Sequence, residues 1–155
     1  MFDYAFPLDR LLPRLKFHRD FAAGRVLSQC MAARCASLPQ PQAIVPIPLH
    51  RARLRQRGYD QALELAKPLA AALHLPLRTD LLARVRRTSA QSELDAAARR
   101  RNLQRAFRVA HGPLPAHVVL FDDVMTTGAT LHAAARALRD AGVQRVDAWV
   151  CARVA

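Results

Sequence analysis

The 155-residue chain is poor in aromatic residues, at 6%, and holds only five glycines and three cysteines. Alanine is abundant instead, and the composition is otherwise ordinary for a globular protein with one proper core. Cys30, Cys35 and Cys151 form an odd set without a C-x-x-C pair, which argues against a disulfide framework or a zinc site. A reduced, cytoplasmic setting is the simple expectation. Cysteine is among the most buried residue types, so all three are expected in the core. No apolar run reaches the length of a membrane span, and Met1–Arg25 is rich in charge, so neither membrane insertion nor a signal peptide is expected. Acids are scarce as well: 12 stand against 24 basic residues, nearly all arginine, for a formal net charge of +12. That balance favours polyanionic partners, but the arginine preference of a GC-rich genome produces it too.

What the chain does have is the stretch Val118–Thr130, VVLFDDVMTTGAT. Val118 to Phe121 read as a buried strand of a parallel sheet, with Asp122 and Asp123 following at its end. A short loop through Thr126, Thr127, Gly128, Ala129 and Thr130 leads straight into a helical pattern. A helix N-terminus offers free N–H groups and a partial positive charge, and Gly128 lets the backbone curl round a ligand. Threonine hydroxyls can donate to phosphate oxygens, while the carboxylates can accept from sugar hydroxyls. A phosphosugar suits this order better than a bare phosphate.

Around it, Leu8, Leu11, Leu12 and Leu15 share a helical face that Pro13 should kink or shorten. Asp20 caps a second helix to about Ala36. LKFHRD at 15–20 lies between the two, most simply as a solvated turn, although Lys16 and His18 could face a ligand. Ala43–Ile47 read as a buried strand, left by the loop PLHR at 48–51 and the basic tract carrying Arg51, Arg53, Arg55 and Arg57. Gly58 and Asp60 open a helix that Pro68 should bend. Leu81–Val85, Ala106–Val109 and Val146–Ala152 complete the strands, and Gly142 sits where a helix C-terminal glycine belongs. The polar stretch 86–105 reads as a mobile loop followed by a basic helix, a plausible lid. Strands alternating with helices predict an α/β fold with a mainly parallel central sheet flanked by helices. One domain is expected over 1–155, with 1–38 a helical hood placed to cover the site and 39–155 the core.

The acidic pair before TTGAT resembles the phosphoribosyl pyrophosphate (PRPP) motif of type I phosphoribosyltransferases. Three further stretches, LDRLLPRLKFHRD at 8–20, VPIPLHRARLRQRGYDQALELA at 45–66 and RTSAQSELDAAARRRNLQRAF at 87–107, resemble the ComF/GntX-like proteins of that fold. The resemblance implies that Asp122 and Asp123 bind the ribose hydroxyls and that Thr126–Thr130 hold the 5′-phosphate. It further implies that Leu49, His50 and Arg51 cradle pyrophosphate, and that the flexible loop with Arg87 and Gln91 closes over the site. Magnesium would be held mainly through PRPP, with no dedicated protein metal site. The implied reaction displaces pyrophosphate from ribose C1 by a nitrogen nucleophile of an unidentified acceptor, with a link to DNA uptake in competence. Two departures stand out. Members often begin with a four-cysteine zinc finger absent here, and position 19 is arginine where K-F-x-G-D usually has glycine. The alternative expectation is a non-catalytic module binding single-stranded DNA or a competence machinery through Arg53, Arg55, Arg57, Arg99, Arg100 and Arg101, with Arg86 and Arg87. Its weakness is the lack of interleaved aromatics other than Tyr59. An oligomer is compatible with either reading.

Overall fold

The computed structural model describes residues 2–86 and 106–154. In chain order the elements are β1 (Phe2–Asp3), α1 (Leu8–His18), α2 (Phe21–Cys35), β2 (Ala43–Pro46), α3 (Arg51–Arg57) and α4 (Gln61–Ala72). They continue with β3 (Leu82–Arg84), β4 (Phe107–Val109), β5 (His117–Met125), α5 (Ala129–Asp140) and β6 (Arg145–Arg153). A parallel sheet in the order β1-β6-β5-β2 runs through the middle. Val118, Val119, Leu120 and Phe121 of β5 are each fully buried, which explains why this strand is continuously apolar and does not alternate.

Two apolar layers enclose the sheet. On one face Val119, Phe121 and Ile44 pack with Leu12 and Leu15 of α1, Leu27 and Met31 of α2, and Leu65 and Leu69 of α4. On the other, Val118, Leu120 and Val45 pack with Leu131, Ala134 and Leu138 of α5 and with Leu82 and Phe107. Helix ends follow their local signals. Asp20 accepts from Ala23 N–H at 3.0 Å, and Asp60 accepts from Leu63 N–H at 3.3 Å. At the end of α5, Gly142 (φ 110°) donates to the Arg139 carbonyl and Val143 to the Leu138 carbonyl, a Schellman closure.

α1 and α4 run through Pro13 and Pro68 without a break, since burial of Leu12, Leu15, Leu65 and Leu69 outweighs one missing N–H in each helix. Several expectations need correction. Residues 15–18 belong to α1 and form no turn. The tract 51–57 is a helix, capped by His50 Nδ1 accepting from Ala52 N–H at 3.3 Å and ended by Gly58 at φ 86°. β3 and β4 stand outside the main sheet as an antiparallel pair, satisfying each other's backbone groups. β1 was not foreseen, being only two residues long. Cys35 and Cys151 are buried, but Cys30 is exposed, off the Leu27–Met31–Cys35 stripe of α2. Burial raises both inner thiols, Cys151 to about 12, so neither is a thiolate at neutral pH. No helix among the described residues is long and apolar enough to cross a membrane.

Candidate functional site

β2 ends at Pro46, opposite Phe121, and Ile47 N–H makes the last contact to the Phe121 carbonyl at 2.8 Å. β5 continues past this point on β6 alone, with Asp122 paired to Val150 and Val124 to Ala152. The acidic pair therefore lies inside the strand, where the sequence placed it just beyond the end. β2 has no residue paired to this segment. Asp123 N–H donates to Asp122 Oδ1 and Val124 N–H to Asp123 Oδ1, each at 2.9 Å, so each acid's carboxylate is held by the next residue's backbone.

Strand alternation sends the two acids to opposite faces. Asp123, 7% exposed, shares the face of Phe121 and meets Lys16 Nζ at 3.4 Å from α1. Gln61 of α4, 4% exposed, donates a long 3.5 Å bond from Nε2 to Asp123 Oδ2. Its buried Oε1 has no hydrogen-bond partner among the described residues. Asp122 lies on the side of Arg84, whose positive charge feels it. Burial, then the charge of Asp123, pushes the Asp122 carboxyl well above the usual carboxylate range.

After Met125 the chain turns through Thr126 and Thr127, which are exposed, into Gly128 at φ 71°. That left-handed conformation suits a residue without a Cβ, and α5 starts at the next position. Ala129 N–H donates to Thr127 Oγ1 at a long 3.4 Å, and Thr130 is half-buried in the first turn. The first amides of α5 have no intrahelical acceptor, so the loop presents donors next to the acids. Among the described residues no group of three or more His, Cys, Asp or Glu is arranged to hold a metal ion.

The loop at Leu49–Arg51 is fixed from a residue that the sequence showed only as a helix cap. Asp60 Oδ2 accepts from Leu49 N–H at 2.8 Å while its Oδ1 caps α4. Burial raises the Asp60 carboxyl, and these backbone donors oppose that shift. Asp60→Ala removes both a helix cap and the tether of the 49–51 loop. It is expected to cost about 2 kcal/mol, read as a lower denaturation midpoint at unchanged m-value.

The phosphoribosyl transferase domain model matches residues 60–155, which contain the acidic pair, the 126–130 loop and Asp60. Competence protein F of Haemophilus influenzae is 38% identical over 97% of this chain and 69% of its own length. DNA utilization protein YhgH of Escherichia coli K12 is 36% identical over the same shares. The chain belongs to the ComF-like proteins of the phosphoribosyl transferase family. Among solved structures, the allosteric regulatory enzyme of purine biosynthesis superimposes with a TM-score of 0.58 at 20% identity, over 84% of this chain and 26% of that one. That likeness speaks for the fold alone.

In this ComF-like chain, structure adds contacts that sequence reading passed over. Lys16, which the sequence offered as a residue that could face a ligand from a turn, reaches Asp123 from within α1. The arginine at position 19 keeps a glycine-like turn, with φ 56° and ψ 32°, and its guanidinium lies 5.9 Å from the Tyr59 ring centre. The Tyr59 hydroxyl donates to the Leu15 carbonyl, and its ring meets Phe21 edge-on at 5.5 Å. Tyr59 thus ties α1 to α2 from the short link between α3 and α4. The basic tract divides: Arg53 and Arg57 face a cavity against α1, while Arg51 and Arg55 point to solvent. Arg87, Gln91, Arg99, Arg100 and Arg101, with most of the 86–105 excursion, lie outside the described residues.

Proposed function

We propose that this protein binds PRPP with Mg2+ and transfers its phosphoribosyl group to a nitrogen acceptor, releasing pyrophosphate. The observation that carries this is the continuation of β5 beyond β2: it carries Asp122 and Asp123 past the last β2 pairing, in the strand that leads into the Gly128 turn and the amides of α5. A strand end followed by a helix N-terminus is where open α/β sheets take phosphorylated ligands. In this reading the 126–130 amides and the Thr126, Thr127 and Thr130 hydroxyls receive the 5′-phosphate. The Asp122 and Asp123 carboxylates accept from the ribose hydroxyls, and Gln61 Oε1, buried without a partner among the described residues, is a third acceptor for them. The pyrophosphate extends toward His50 and Arg51, on a loop that Asp60 holds in place through Leu49.

Two carboxylates with no third ligand grouped beside them among the described residues suit an ion that keeps its waters and is shared with ligand oxygens, so Asp122 and Asp123 are the residues that would meet magnesium. Bound there, it would neutralise charge on the pyrophosphate. In the transfer, the C1–O bond to pyrophosphate breaks with its electron pair leaving on oxygen. The acceptor nitrogen supplies the pair for the new C1–N bond and loses a proton. Arginines near the site stabilise the charge that develops on the leaving group. The names of the relatives place them in competence and DNA utilization, and supply of a nucleotide-type product to such a process is the role this reading gives the chain.

The raised Asp122 carboxyl gives a test. A carboxyl whose pKa rises on folding favours the native state when protonated, and this contribution is lost as pH rises from the ordinary 3.8 through the raised value. Ligand binding runs the other way, because the ribose hydroxyls need the ionised form. Calorimetric PRPP affinity at fixed Mg2+ is expected to fall by up to about tenfold per pH unit as pH drops through the Asp122 pKa. Asp122→Asn should bind more weakly and lose that part of the pH dependence. Equal pH slopes in the two proteins would remove Asp122 from the site.

A further inference from the structure

A cavity of about 510 Å³ lies between the C-terminal end of α1 and the flank of α3. Its walls carry four cations, Lys16, Arg19, Arg53 and Arg57, and two aromatic rings, Phe17 and Tyr59, with no carboxylate among them. Of the four cations, only Lys16 has a carboxylate within ion-pair distance among the described residues, and that carboxylate is Asp123. The cavity therefore adjoins the acidic pair through Lys16. Arg57 Nη1 is buried and has no hydrogen-bond partner among the described residues, while its guanidinium sits 5.8 Å from the Phe17 ring centre. Four like charges gathered round one space repel one another, so the arrangement asks for an anion.

Arg19 shows that the basic wall is built at a cost in backbone strain. At φ 56° and ψ 32° it occupies the left-handed region that glycine adopts freely. A non-glycine residue held there, with its side chain turned into a cavity, marks a site where function opposes local preference. Gly58 makes room for it: a Cβ on Gly58 would lie 2.6 Å from Arg19 Nη2. The guanidinium is thus fixed between Gly58 and the Tyr59 ring.

We propose that this cavity is the acceptor site and that the acceptor is an anionic nitrogen heterocycle carrying a carboxylate. The inference rests on the PRPP reading above and names its second substrate. The planar ring lies against the exposed Phe17 ring, which is 67% accessible. The carboxylate meets the arginine forks, whose paired N–H groups match its two oxygens. Lys16 lines the cavity and meets Asp123, so the ring would sit beside the carboxylate that the PRPP reading gives to the ribose.

The test titrates the protein with orotate and nicotinate, and with uracil and adenine as neutral rings, by calorimetry with and without PRPP and Mg2+. A carboxylated ring is expected to bind at least tenfold more tightly than either neutral ring and to bind alongside PRPP. Arg19→Gly and Arg53→Gln, each shown to be folded by thermal melting, are each expected to lower that affinity about tenfold or more. Equal affinity for neutral rings, no loss in either folded variant, or displacement of the ring by PRPP or inorganic pyrophosphate would overturn the assignment. PRPP failing to bind while a carboxylated ring still binds through Arg19 would end the acceptor role and leave only an anion pocket. PRPP binding with no carboxylated ring taken up would refute the acceptor class and leave the PRPP reading standing.

Discussion

Asp122→Asn combined with Asp123→Asn is expected to weaken PRPP binding by at least about a hundredfold, while the protein stays folded. Each carboxylate makes a charge-assisted hydrogen bond in the proposed complex worth about 1.5–3 kcal/mol, and two such losses multiply. The fold should tolerate the change, because asparagine keeps the shape and an acceptor oxygen. Asp123 N–H and Val124 N–H, both at 2.9 Å from carboxylate oxygens, can donate to the amide oxygens instead. Relief of burial and mutual repulsion at Asp122 stabilises the variant, and loss of the Lys16–Asp123 ion pair offsets part of that gain. Calorimetry beside thermal melting separates the effects. Undiminished affinity in a folded double variant would contradict the assignment of the acids.

Phe121→Ala is expected to cost about 3–5 kcal/mol, the largest stability loss of any change considered for this chain. Phe121 is fully buried in β5, bonded to β2 through its carbonyl, and packed beneath α1, α2 and α4. No neighbour can fill the space without moving the sheet or the helices that carry Lys16 and Gln61. The loss is a large share of a typical total stability of about 5–15 kcal/mol, so ligand affinity should fall with it. Urea denaturation checks this, and a loss below about 1 kcal/mol would mean that the layer collapses round the gap.

How far the sequence revealed this molecule depends on whether the signal was local. The apolar run Val118–Phe121, the caps at Asp20 and Asp60 and the glycine at 142 are local, and the structure has all four. The extension of β5 through Asp122 and Asp123 was not legible, because hydrogen bonding to β6 overrides the preference of acids for strand ends. Likewise β3 and β4 read as strands, but nothing in three-residue segments tells main-sheet pairing from pairing with each other. At the candidate site, the acids and the TTGAT loop were legible from their order in the chain. Lys16 was legible as a residue that could face a ligand, but its pairing with Asp123 was not, and Arg19 and Gln61 were missed, since all three are placed by tertiary packing. Arg19 gave a partial signal as an arginine where the resembling proteins have glycine, but its left-handed backbone shows only in the fold.

The measurement that bears most directly on the central claim is amide mapping of the isotope-labelled protein by NMR during titration with PRPP, with and without magnesium. The account predicts that magnesium-dependent shifts concentrate at residues 122–130 and at the 49–51 loop. Shifts confined to the arginines of α3, with the 122–130 amides unmoved, would contradict it.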